Sequence, residues 1–342
     1  MSTPPVFKEA HLSSTPIRAL GLSIQGTRLE PLLAEFEAEL QRAGIRKLRP
    51  RFYLTTEWGV PSDTVAIGIP FYLARPDLTQ LHAERAGHVE GFSRADILRY
   101  LRHEMGHVVN YGYRLYDQEE WVKHFGSITQ PYLEDYQPQP FSPRYVSHLP
   151  GWYAQKHPDE DWSETFAVWI TPGADWRAEY ADRPEALAKL EYCDRTMRAL
   201  AELDPVVTAV DLDEDVADLE YTLEQYYQAY ATAGGEFPRG LDGALRAIFE
   251  DLGEPEDLST DAPRQPASLL IRRWESELSA NVYRWTGHFP ERTRLLLRHL
   301  AERADVLKQV YPESREASAV LGLTTLVTAL AMNFVHRGSY LP

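Results

Sequence analysis

The chain has almost no cysteine: Cys193 is the one among 342 residues. No disulfide can form within it, so the fold does not depend on an oxidising compartment. Cys193 lies in the helical context Leu190-Glu191-Tyr192-Cys193 and reads as a packing residue rather than a nucleophile. Basic clusters are missing too, and the net charge is −16. That argues against nucleic acid and anionic membrane as partners. Residues 1–16 lack the apolar core of a signal peptide, so a cytoplasmic location is the expectation. No internal repeat is evident. Long hydrophobic runs are absent apart from residues 317–335, which go 19 residues without a charge. That is just long enough to cross a bilayer. The run contains Gly322, Thr324, Thr325, Thr328 and Asn333, with no aromatic belt and no flanking basic cluster. It reads as a buried helix of a bundle, not a membrane span.

What is present suits a soluble globular protein of two domains. Residues 1–16, rich in Ser, Thr and Pro, read as a flexible tail. Leu29, Leu32, Leu33, Phe36 and Leu40 form a helical stripe over residues 28–43. Residues 51–58 and 64–73 read as strands, joined by the turn-forming Gly59-Val60-Pro61-Ser62-Asp63. A helix then opens at Ser93, an N-cap with Asp96 three places on, and runs to about Gly112. A Pro- and Tyr-rich stretch, 130–150, reads as an irregular segment wrapped over a surface. Pro158 opens a further helix with Asp159, Glu160 and Asp161 in its first turn and Trp162, Phe166, Trp169 and Ile170 as its buried stripe. A helix at 185–203 follows. Beyond it, helical patterns at 241–252, 268–285, 291–311 and 315–335, with a linker-like 255–266, point to an all-helical bundle. The expected organisation is α+β: a domain at 17–204 with a small β-sheet ahead of the first motif helix, then a helical domain at 205–342. That second domain is expected to bind a protein partner or to mediate assembly.

The chemistry centres on Arg102-His103-Glu104-Met105-Gly106-His107, an H-E-x-x-H pattern within a helix. At 100° per residue, His103 and His107 lie one above the other and can reach one metal. Glu104 sits beside them as a base. Chance alone yields such a pentapeptide in about three of a hundred chains of this length, so the rest of the site must be sought. A catalytic zinc takes three protein ligands and keeps a position for water. The compact third-ligand patterns are absent: Asn110 and Tyr113 stand where the metzincin motif has Gly and His. The best supplier is the later helix. Glu160 and Glu164 share a face there. Glu160 is assigned to the metal, and Glu164 to a hydrogen bond with a ligand histidine's far nitrogen, which would fix its ring. The opposite order stays open. His124 and His148 are weaker candidate ligands, and His157 is expected to cap the later helix.

His103-Glu104-Met105-Gly106-His107, followed after 52 intervening residues by Glu160-x-x-x-Glu164, resembles the gluzincin pattern. In that pattern a downstream helical Glu is the third zinc ligand. Thermolysin and neprilysin usually have Asp where Glu164 stands. The lethal-factor type of protease is similar in having Gly before the second His, as Gly106 is here, and Glu-x-x-x-Glu followed by a small residue and Phe, as in Thr165-Phe166. It shares with the Pro-Pro endopeptidases a Tyr seven residues before the ligand Glu, the position of Tyr153. The stretches Ile69-Pro70-Phe71-Tyr72-Leu73 and Gly151-Trp152-Tyr153-Ala154-Gln155-Lys156-His157-Pro158-Asp159-Glu160-Asp161-Trp162-Ser163-Glu164-Thr165-Phe166-Ala167 are similar to a bacterial group of zinc-binding metallopeptidases. The resemblance covers roughly residues 17–200 and implies a zincin-like domain.

By that resemblance the expected activity is hydrolysis of a peptide or protein substrate, with Zn2+ as cofactor and Glu104 as general base. Tyr153 is the expected donor to the oxygen that gains charge, with Tyr145 a weaker alternative. An extended substrate is expected to pair with the sheet edge at 64–73. Two other functions use the same residues: a zinc amidase acting on a non-peptide amide, and a non-catalytic, zinc-stabilised protein-binding module. An intact Glu104 favours catalysis, because a structural site needs no base.

Overall fold

A computed structural model describes residues 12–86, 88–132, 138–139, 141–231, 237, 240–252 and 263–340. The chain is mixed helix and strand and forms two compact units. The first comprises residues 1–83 and 89–228, the second 84–88 and 229–342.

In the first unit, helix α1 (Leu29–Arg42) buries Leu29, Leu33, Phe36 and Leu40, the stripe read from the sequence. Strands β1 (Arg51–Thr55) and β2 (Ala66–Pro70) form a two-stranded sheet. The pair is parallel, with Arg51 opposite Ala66 and Thr55 opposite Pro70. Residues 71–73, expected to extend the strand, instead turn into the short helix Phe71–Ala74. The loop between the strands returns along β2, where Gly59 bridges Gly68 in antiparallel sense. Gly68 must be glycine there: a Cβ would lie 2.5 Å from Thr55 Cγ2 and 3.3 Å from Gly59 O. Helix α2 (Pro76–Ala86) follows.

Helix α3 (Arg94–Tyr113) starts at the expected Ser93 cap. Asp96 N–H donates to the Ser93 hydroxyl at 3.2 Å, and Ser93 N–H donates back to Asp96 Oδ2 at 3.3 Å. After α4 (Glu119–Phe125), helix α5 (Pro158–Ile170) begins at His157, whose Nδ1 accepts from Asp159 N–H at 3.2 Å. Helix α6 (Pro184–Leu200) packs on α5 and buries Cys193. The contact that organises the unit is α3 on α5. Their closest approach sets Gly106 against Ser163, where a Cβ on residue 106 would lie 2.6 Å from Ser163 Cα.

Two expected boundaries move. Residues 1–11 lie outside the described residues, but residues 12–16 are tied down. Thr15 N–H bonds Leu12 O, and Pro16 bridges Thr222. Residues 205–228 belong to the first unit, not to a C-terminal domain starting at 205. Val206 and Val207 donate to Gly112 O, Val65 donates to Ala209 O, and Val216 donates to Leu54 O. Backbone bonds thus hold the segment to α3, β1 and the start of β2. Helix α7 (Leu223–Ala231) begins within it and runs across residue 228.

The second unit is not all-helical. It holds helices α8 (Leu241–Arg246), α9 (Ala267–Arg273), α10 (Glu275–Thr286) and α11 (Pro290–Val306), together with α12 (Glu316–Arg337). Beside them stands an antiparallel sheet of β3 (Glu250–Asp251), β4 (Arg264–Pro266) and β5 (Gln309–Pro312), in the order β3-β5-β4. The helix expected to reach residue 311 stops early because Lys308 is left-handed (φ 50°) and turns the chain into β5. Residues 255–262 of the expected linker lie outside the described residues. The core gathers Leu245, Leu270, Leu296, Leu300, Leu323 and Val327. The apolar stretch 313–337 is long and apolar enough to cross a membrane. Its helix, expected to be a buried helix of a bundle, is buried along one face, at Ala319, Leu323, Val327, Leu330 and Ala331, while Leu321 is 69% exposed.

Candidate metal centre

Helices α3 and α5 bring His103, His107 and Glu160 together as a buried group that could hold a metal ion. His103 Nε2 lies 3.0 Å and His107 Nε2 3.4 Å from Glu160 Oε2, and the two Nε2 atoms are 3.3 Å apart. A helix turn between the histidines and the close approach at Gly106 make this convergence geometrically available.

The far ring nitrogens are each held by a carboxylate. His103 Nδ1 is 2.9 Å from Glu164 Oε1, and His107 Nδ1 is 2.9 Å from Asp159 Oδ2. An ionised carboxylate only accepts, so each Nδ1 carries a hydrogen; each Nε2 faces the common point and offers it a lone pair once its own proton has left, as when a cation replaces that proton. The carboxylates are themselves fixed. Glu164, wholly buried, accepts from the backbone N–H of His148 at 2.6 Å and of Leu149 at 2.8 Å. Asp159 accepts from Asn110 Nδ2 and from the Tyr111 hydroxyl, both at 2.6 Å. Of the two glutamates weighed from the sequence, Glu160 faces both Nε2 atoms and Glu164 faces Nδ1 of His103.

The electrostatics favour a cation. Burial is the largest influence on the His103 imidazole and pushes its pKa down, yet the bonds and charges of Glu160 and Glu164 outweigh it and bring it up to about 10. His107 is likewise pushed down by burial and raised on balance, by Asp159 and Glu160. Burial pushes the Glu160 carboxyl up, but the two imidazoles hold it well below the usual range. Two nitrogens and a carboxylate oxygen, backed by two further carboxylates, are a donor set that fits a divalent transition metal.

The cluster opens on a cleft of about 770 Å³ lined by Glu57, Trp58, Gly59, Val60, Tyr111, Tyr132, Tyr153, Lys156 and Glu104, among others. Burial raises the Glu104 pKa, with the His103 and His107 charges working against it. The Tyr153 ring stands edge-on to His103, with centroids 5.6 Å apart. Burial first, and the Glu160 charge second, hold its hydroxyl protonated well above the ordinary range. Tyr145 lies under Lys189 Nζ instead, 4.5 Å from ring centre to nitrogen. His148 directs Nε2 to Arg99 O at 3.0 Å, and His124 packs on Tyr192, so neither joins the cluster. The expected substrate edge at 64–73 is covered at one point. Gly59 covers β2 at Gly68, and the neighbours Trp58 and Val60 line the cleft.

Sequence reasoning missed Asp159, Asn110, Tyr111 and Tyr132. Asp159 reads only as a first-turn acidic residue of α5, and no sequence signal marks its contact with His107. No protein-family model, curated protein or solved structure matches the chain.

Proposed function

We propose that the protein is a zinc-dependent peptidase of gluzincin type, built on a zincin-like first unit. The observation that carries this reading is the meeting of His103 Nε2, His107 Nε2 and Glu160 Oε2 with both Nδ1 atoms tied to carboxylates. The open cleft supports catalysis over a purely structural role, since structural zinc sites are closed by four protein ligands.

His103, His107 and Glu160 would hold a zinc ion, whose Lewis acidity would polarise a substrate carbonyl and lower the pKa of a water molecule. Glu104 takes a proton as the water oxygen bonds to the peptide carbon. Its raised pKa suits both halves of the exchange, because the same carboxyl then returns the proton to the departing amine as the C–N bond breaks. The Tyr153 hydroxyl, held protonated, donates to the carbonyl oxygen as it gains charge. An extended peptide would lie along the cleft wall at Trp58, Gly59 and Val60, the strand-addition mode.

The test is hydrolysis of a broad peptide library by the zinc-loaded protein and by Glu104→Gln, with metal content measured on both. The reading requires about one metal per chain in each and a rate lower by about 10²–10⁴ in the variant. A zinc-loaded protein that leaves every peptide intact contradicts it.

A further inference from the structure

The Glu160 carboxylate has two oxygens, and the histidines meet only one of them. Oε2 faces both Nε2 atoms, while Oε1 accepts a hydrogen bond from the Tyr132 hydroxyl at 2.8 Å. Glu160 is buried, and without that bond Oε1 would be free to turn toward the same cation as Oε2. Tyr132 belongs to the segment after α4, outside both motif helices. His157, the cap of α5, bonds Gln130 O through Nε2 at 3.0 Å and packs its ring on Tyr132, with centroids 5.4 Å apart. Lys156 Nζ lies over the Tyr132 ring at 4.4 Å and near the Tyr153 ring at 5.2 Å. The phenol is thus held by two ring contacts from the α5 entry, with the backbone at Gln130 tied down beside it. Its oxygen is 3.5 Å from the Tyr153 hydroxyl, the limit of a hydrogen bond, so Tyr153 gives up little when it donates to a substrate oxygen.

We propose that Tyr132 is a positioning residue that holds Glu160 as a one-oxygen ligand and so keeps a coordination position open for water and substrate. The proposal rests on the metal-centre reading above. Freed of Tyr132, Glu160 would bind through both oxygens and fill that position, so the effect is on coordination and not on the fold: Tyr132 is 45% exposed.

The experiment uses the full-length protein, Tyr132→Phe and Tyr132→Ser, each loaded with zinc and, separately, with cobalt(II). In both variants the ease with which a chelator strips the metal is expected to change about tenfold, the low end of the range for outer partners of metal ligands. The cobalt visible bands should weaken and shift as the coordination number rises. The metal-stripped variants should unfold at the wild-type temperature, a readout that a merely structural tyrosine would move. Variants that hold the metal as tightly as wild type, with the wild-type cobalt spectrum, overturn the proposal and leave the metal centre standing. A wild-type protein that takes up neither ion overturns both together.

Discussion

Replacing Gly106 by alanine separates the site from the fold more cleanly than any ligand substitution. The added Cβ would lie 2.6 Å from Ser163 Cα and 3.0 Å from both Ser163 Cβ and Oγ. Carbon atoms pack at about 3.5–4.0 Å, so α3 and α5 must part by on the order of 1 Å. The obstacle is backbone and cannot rotate away. Overpacking of this kind costs about 1–3 kcal/mol, while alanine in place of a helical glycine returns about 1 kcal/mol. Net destabilisation is therefore small, on the order of 1 kcal/mol. The site fares worse. His103 and His107 straddle Gly106, and Glu160 and Glu164 straddle Ser163, so the same shift lengthens the contacts that join the two helices. Metal affinity should fall by about 10–100-fold. Chelator competition measures the affinity, and urea unfolding of the stripped proteins measures the stability. Gly106→Ala with wild-type metal affinity would refute the reasoning, because the helices would then approach closely without needing glycine.

Glu164→Ala leaves the N–H groups of His148, Leu149 and His103 without their acceptor, so stability should drop by about 3 kcal/mol or more in urea melts. Asp159→Asn should weaken metal binding about tenfold, by loosening His107, with little change in the unfolding midpoint of the stripped protein. Asp161 is raised to about 7, first by burial, with Lys189 opposing. Its folded pKa exceeds its unfolded value, so the folded chain holds the proton longer and stability falls as pH rises from about 4 to 7. Asp161→Asn should therefore gain stability relative to wild type between pH 5 and 7.5, and a difference that stays constant across that window would contradict it.

The two motif helices were legible because each carries its own start signal and apolar stripe. Ser93 with Asp96 and His157 with Pro158 cap them, and Met105, Val108, Trp162 and Phe166 are buried as their spacing implies. The pairing of Glu160 with Glu164 followed from one helical turn. What escaped depends on tertiary path. Asp159 looked like a first-turn complement to the helix dipole, and nothing local says that it meets His107. Tyr132 and Tyr111 reach the site from a loop and from the flank of α3, where no period marks them. The parallel sense of β1 and β2 is set by how the loop at residues 56–65 returns, and strands as short as Glu250–Asp251 carry no alternation to read.

The central claim is that His103, His107 and Glu160 hold zinc. The most direct measurement is crystallographic anomalous scattering at the zinc absorption edge, from protein incubated with zinc. The account predicts one strong peak within bonding distance of His103 Nε2, His107 Nε2 and a Glu160 oxygen. A peak elsewhere, or none at this cluster, contradicts it.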